Sequence, residues 1–239
     1  MQSKWKYQGL GRFMVMATRR VLRPLVFWDI HYVFNRALSS HASAPPSHSE
    51  TTISILKSER DLASAPADLT ALCPLAAERL RCGQAIVVAF ANPVTSDKAI
   101  GRNLTETTAA TNANANATAQ TEIAGYTWIT FSNIWLPEFD RTMIVRPGEM
   151  VHYDSFVSNP YRGQGLHTIL ILVAKQYALS TGCTHSLSWI SMLNTQSLKT
   201  AQRLVREPDQ PMIVLSIKVR GMKRFHNVTL RGSLGSRFQ

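Results

Sequence analysis

Val157-Ser-Asn-Pro-Tyr-Arg-Gly-Gln-Gly-Leu-His-Thr168 joins a strand-like run to a helix-like run through two glycines and an arginine. Upstream, residues 150–157 (MVHYDSFV) are rich in the β-branched and aromatic side chains that suit a pleated, half-buried strand. Downstream, residues 166–179 (LHTILILVAKQYAL) are apolar and contain neither Gly nor Pro, the pattern of a buried helix. A short glycine turn between them lets successive backbone N–H groups converge at the helix start. Such a nest, backed by the helix dipole, binds phosphate oxygens. Arg162 at its mouth adds a charge that ordinary pH cannot remove. These residues point to a phosphate-bearing cofactor.

Two common phosphate signatures do not fit. The dinucleotide pattern G-x-G-x-x-G needs a third glycine where Thr168 stands, and no G-x-x-x-x-G-K-S/T occurs. What remains, Arg162-Gly-Gln-Gly165 after a strand ending at Val157, resembles the R/Q-x-x-G-x-G/A signature of the GCN5-related N-acetyltransferase (GNAT) superfamily. That signature falls on Arg162, Gly165 and the position of His167. Val157, Tyr161, Arg162, Gly163 and Gly165 agree with the wording V-x-P-x-Y-R-G-x-G. Pro160 is displaced by one position, and His167 replaces the usual small residue. Beyond the helix come Gly182 as a stop, an alternating strand over residues 183–191, and a polar helix start, Asn194-Thr-Gln-Ser197, before residues 198–205. Strand, phosphate turn, helix, strand, Asn-x-x-Ser, helix is the core order of that superfamily. The resemblance covers residues 53–219 and is strongest over 151–204. The Gly-Phe pair that often follows the second helix is missing.

The resemblance implies an α/β fold with a mixed, mostly antiparallel central sheet flanked by helices. It implies an acyl-CoA-dependent N-acyltransferase that moves acetyl from acetyl-CoA to an amine by direct attack. Such an enzyme holds an acyl thioester, orients the amine and stabilises the charge that develops on the carbonyl oxygen. The amides of Gly163, Gln164, Gly165, Leu166, His167 and Thr168 would grip the coenzyme A pyrophosphate, with Arg162 on a phosphate. The edge at Phe156 and Val157 would meet the pantetheine arm, and Asn194 and Ser197 would lie near it or cap their helix. Asp154 is the candidate general base: a carboxyl buried beside apolar residues gains basicity. Strand alternation puts it on one face with His152, and Tyr153 and Ser155 on the other. Glu138 and Glu149 are weaker candidates. Many relatives protonate the leaving thiolate with a tyrosine on the last core helix; here that position is Ala201. Trp128, Trp135 and Trp189 are candidates for an acceptor cleft or for the core.

Composition bounds the alternatives. The 239 residues carry a net charge of +11, distributed unevenly. Residues 1–49 contribute +6, residues 50–198 contribute −2 and residues 199–239 contribute +7. Basic ends suit an anionic membrane surface or a polyanion. Two further functions therefore stay open: a catalytically weak adaptor bound to membrane or polyanion through its termini, and an aminoacyl-RNA-dependent transferase. Three scattered cysteines and seven scattered histidines give no disulfide framework and no metal-ligand spacing, so no metal is expected. The expected partner is an amine-bearing acceptor, with membrane contact through residues 1–38; nucleic acid is permitted by the charge but not favoured.

Residues 12–38 mix Arg19, Arg20 and Arg23 with Phe27, Trp28, Tyr32 and Phe34, which reads as a basic amphipathic helix too interrupted to span a bilayer, one that lies on a membrane surface or packs on the domain. The expected organisation is this helical extension over 1–38, a Ser/Pro linker over 39–50, the acyltransferase domain over 51–232 and a basic tail over 233–239. Within the domain, residues 95–122 hold a Thr/Ala/Asn-rich low-complexity loop. Residues 69–80 have helical spacing, and residues 53–56, 85–91, 123–131 and 212–219 read as strands, with a weaker one near Val228. The expected location is the cytoplasm, with membrane association possible in principle and an organelle-targeting N-terminus as the alternative.

Overall fold

The structure is a computed structural model of the chain and describes residues 26–38, 51–91, 122–203, 211–231 and 238. Eight strands form the main sheet: β1 (Val26–Ala37), β2 (Thr51–Leu56), β3 (Ala85–Ala91), β4 (Glu122–Thr130), β7 (Glu149–Val157), β8 (His185–Ser191), β9 (Met212–Val219) and β10 (His226–Arg231). Their spatial order is β10-β9-β1-β8-β7-β4-β3-β2. Every neighbouring pair is antiparallel except β7 with β8, so the fold is the mixed, mostly antiparallel α/β sheet expected. A small hairpin of β5 (Ile134–Leu136) and β6 (Arg141–Met143) packs beside it. Those three-residue strands are too short to show a period, and the sequence reads there as loop.

Alternation along the strands feeds two cores. Val87 and Ala89 of β3 face one side, where α4 (Leu166–Ser180) lays Leu166, Leu170, Ala174 and Ala178 against the sheet. Ile86 and Val88 face the other, with Tyr126, Trp128 and the short helices α1 (Glu59–Ala63), α2 (Asp68–Leu72) and α3 (Ala76–Arg81). Each fully buried aliphatic side chain stabilises by about 1.5–3 kcal/mol. Both faces of the sheet are therefore covered around β3, β4 and β7.

Three elements differ from the sequence reading. The helix expected over residues 69–80 is two helices, α2 and α3, parted at Pro74, whose ring and missing N–H break the ladder. Ahead of them, Ser58 and Asp61 form a reciprocal capping box that opens α1.

The largest difference lies at the start of the chain. Residues 26–37, assigned to a basic amphipathic helix, are strand β1, inserted between β8 and β9. It pairs with β8 from His31↔Ser191 to Ala37↔His185, and with β9 from Val26↔Val219 to Val33↔Met212. A strand hydrogen-bonded on both sides is part of the folded unit, so that unit does not begin at residue 51. The physical reason is composition: Val, Phe, Trp, Ile and Tyr fill both faces of a strand with partners on each side. Residues 1–25, the linker over 39–50, the low-complexity stretch before Glu122 and most of the tail lie outside the described residues. Among those described, no helix is long and apolar enough to cross a membrane.

Candidate active site

Strands β7 and β8 hydrogen-bond over three register positions only, Glu149↔His185, Met150↔Ser186 and Val151↔Leu187. Beyond Val151 they part. β8 continues along β1, whereas β7 keeps β4 on its other side through Tyr126↔Phe156 and Gly125↔Val157. Residues 152–157 thus present one strand edge with no strand beside it among the described residues. Phe156 and Val157 lie on that edge.

The chain leaves β7 through a 3-10 turn, Asn159–Tyr161, that is tightly bound to itself. Arg162 Nε donates to the Val157 carbonyl at 2.9 Å and Gln164 Nε2 to the Pro160 carbonyl at 2.9 Å, while buried Tyr161 anchors the turn in the core. Gly163 and Gly165 then adopt φ of +78° and +80°, the left-handed region that favours glycine. Gly165 caps α4, and the first return bond of the helix, Ile169 N to Gly165 O, is 3.2 Å long. The amides of Leu166, His167 and Thr168 therefore precede the intrahelical ladder and face outward from the helix start. A Cβ built on either glycine meets nothing within 4 Å, so there is room above the turn. Converging amides, positive dipole and open space suit a diphosphate, and the residues fit coenzyme A.

Between the parted strands lies a cavity of about 340 Å³. His167 and Ile171 of α4 line it, with Asn194, Ser197 and Ala201 of α5 (Thr195–Arg203) and Tyr153 and Trp189 of the two strands. Asn194 Oδ1 accepts from Ser197 N at 3.1 Å. Its capping role is thus real, and both residues border the cavity as well. Leu166 is buried; Thr168 is half-buried on the first turn.

Asp154 differs most from expectation. The ladder runs from Trp128↔Tyr153 to Tyr126↔Phe156, so Asp154 and Ser155 together oppose Thr127 in a β-bulge. Asp154 takes φ of +47°, rare for a residue with a side chain. Alternation fails at the bulge. Asp154 reaches Arg79 of α3 in a 2.5 Å ion pair and still lines the cavity together with His152 and Ser155. That guanidinium also lies over the rings of Trp128 and Tyr153, at 5.0 and 5.3 Å. The Asp154 side chain is 45% exposed, so it is not the apolar-buried carboxyl envisaged. Of the other acids, Glu149, the first residue of β7, is buried and accepts from Arg146 N at 2.9 Å, while exposed Glu138 borders the cavity.

His152, on the cavity wall, has its Nδ1 enclosed without a hydrogen-bond partner. Burial pushes its pKa down to about 3, with smaller contributions from Lys175, His167 and Arg36. His167 is lowered by burial too. At His152 the unfolded chain takes up a proton near pH 6.5, and the folded chain does not until far lower. Stability is full above about pH 6.5 and falls as pH drops toward 3. We expect a loss of roughly 1–2 kcal/mol between pH 7 and 5 in denaturant titrations. His152→Gln flattens that slope; an unchanged slope would contradict the assignment.

Tyr153 lines the cavity, but its hydroxyl donates to Gln84, and burial pushes its pKa up to about 12. Of the three tryptophans, Trp189 alone borders the cavity: Trp128 is fully buried and Trp135 lies exposed on β5. The sequence reading missed Asp29, His31 and Arg36, which also line the cavity, because it did not recognise β1. Ser191 Oγ donates to Asp29 at 3.0 and 2.9 Å and accepts from Leu193 N at 3.2 Å, tying β1 to the end of β8. Among the described residues, no group of three His, Cys, Asp or Glu side chains is placed to hold a metal.

A sheet opened beside a glycine-capped helix start defines the class: a mixed, mostly antiparallel α/β fold whose candidate site lies where β7 and β8 part. Residues 97–204 match the model of the acetyltransferase (GNAT) family. No curated protein sequence matches. Among solved structures, a tandem GNAT protein of the clavulanic acid biosynthesis pathway is 13% identical, covers 93% of this chain and 72% of its own, and has a TM-score of 0.47. A Drosophila protein is 15% identical with a TM-score of 0.45, covering 88% of this chain. An aminoglycoside acetyltransferase from an uncultured soil metagenomic sample, solved with sisomicin, is 12% identical with a TM-score of 0.39 over 67% of this chain and 91% of its own. The chain spans 58% of the Drosophila protein's length.

Proposed function

We propose that the chain is an acyl-CoA-dependent N-acyltransferase that moves acetyl from acetyl-CoA to an amine. The observation that carries this reading is the parting of β7 and β8 directly beside the amides at the start of α4. Amides of Gly163, Gln164, Gly165, Leu166, His167 and Thr168 hold the diphosphate, and Arg162 adds charge at the turn. The open edge of Phe156 and Val157 orders the pantetheine arm in the cleft, with Asn194 and Ser197 on its far wall. Acetyl-CoA supplies an activated thioester. The acceptor amine approaches along the wall of Glu138, Tyr153 and Trp189 and attacks as the neutral amine. A C–N bond forms, the C–S bond breaks, and the amine proton passes to solvent. Holding the two reactants in line is the main contribution of the protein.

Isothermal titration with acetyl-CoA tests the cofactor: binding tighter than about 100 µM supports it, and no heat in that range contradicts it. Release of coenzyme A thiol against a panel of primary amines then tests transfer. The carboxylate of Asp154 anchors Arg79 rather than serving as the base. Asp154→Asn is therefore expected to lower kcat/KM by less than tenfold. A loss on the order of 10²–10⁴, the usual contribution of a general base, would restore it to that role.

A further inference from the structure

Five of the eight large hydrophobic side chains exposed among the described residues belong to β1, β9, β10 and the turn between the last two: Phe27, Val219, Met222, Val228 and Leu230. Soluble surfaces carry scattered apolar residues, so their concentration here needs a cause. Charge accompanies them. From residue 211 onward the sequence has six Lys/Arg and no Asp or Glu. Arg220, Lys223 and Arg224 are exposed in the β9–β10 turn, where Met222 stands at the tip.

The patch is held in shape. Phe225 packs edge-on against Phe27 with centroids 5.7 Å apart, and Lys218 Nζ lies 5.1 Å above the Phe225 ring. Asn227 is fastened inward, accepting from Ser216 at 2.7 Å and donating to the Phe139 carbonyl at 2.6 Å. Alternation then turns His226, Val228 and Leu230 outward. β10 is an edge strand, and cations alone would guard such an edge against pairing with another chain. Guarding does not call for exposed aliphatic side chains among the cations. A nucleic acid would use the same cations, but of the five exposed apolar side chains only Phe27 carries a ring for a base to stack on, and that ring is packed edge-on against Phe225.

We infer that this end of the sheet docks on an anionic lipid bilayer. Met222 at the turn tip enters the interfacial region with Val219 and Phe27, which stand just behind it on opposite faces of the sheet, while Lys218, Arg220, Lys223 and Arg224 meet the head groups. Co-sedimentation of the full chain with vesicles of phosphatidylcholine, alone or mixed with phosphatidylserine, tests it. The chain is expected to partition onto the mixed vesicles and not the neutral ones. Lys223→Ser with Arg224→Ser lowers partitioning about twentyfold or more, at about fivefold per basic residue. Val219→Asp with Met222→Asp abolishes it, with far-UV circular dichroism and acetyl-CoA affinity unchanged. Equal binding to both vesicle types, or no partitioning at all, would overturn the inference. So would an apolar pair of substitutions without effect, whether the chain is held elsewhere or RNA and heparin are bound through the cations alone.

Discussion

Gly165→Trp is expected to weaken acetyl-CoA binding by at least about a hundredfold (2.7 kcal/mol or more) while the protein stays folded. Gly165 sits at φ +80° with nothing within 4 Å of the position a Cβ would take. A side chain there enters open space rather than the core. The left-handed backbone costs a substituted residue about 1–2 kcal/mol, which a domain of this size tolerates. The indole, however, would occupy the space above the amides of Leu166, His167 and Thr168. Titration calorimetry paired with thermal melting separates the two effects. Retained affinity in a folded variant would show that the turn does not hold the cofactor.

Gly125→Val is expected to do the opposite, damaging the fold first. A Cβ at Gly125 would lie 2.7 Å from the Phe156 carbonyl oxygen and 3.3 Å from both Val157 Cα and Leu170 Cδ1. Two of those three atoms are main chain, so the strain cannot relax by a rotamer change. β4 and β7 must separate at the end that feeds the phosphate turn. We expect a destabilisation of about 3 kcal/mol in denaturant titrations, together with loss of cofactor affinity. A variant with wild-type midpoint and affinity would contradict the close packing described there.

The strand–turn–helix unit was legible because each signal was local. Residues 149–157, the two left-handed glycines and the apolar run of α4 each follow from neighbouring side chains alone. The turn between β7 and α4 is therefore the part whose backbone course the sequence discloses best. β1 was hidden by its own richness. Arg, Phe, Trp and Tyr at mixed spacing suit an interfacial helix as well as a central strand, and only tertiary pairing with β8 and β9 decides between them. With β1 went Asp29, His31 and Arg36 of the cavity wall. Pro74 was visible yet overruled by the spacing of Leu69, Leu72, Leu75 and Ala76. Asp154 was misplaced for a different reason: a bulge breaks the period of two, and nothing around Tyr153-Asp-Ser155 announces it. The Asp154–Arg79 pair spans 75 residues, beyond the reach of any local pattern.

The central claim is that main-chain amides between the end of β7 and the start of α4 clasp a diphosphate. Backbone amide NMR during titration with coenzyme A reads those groups one by one. The largest shifts are expected at residues 163–168, saturating together with the calorimetric binding curve. Saturation with those amides unmoved, and the shifts gathered elsewhere on the molecule, would contradict it.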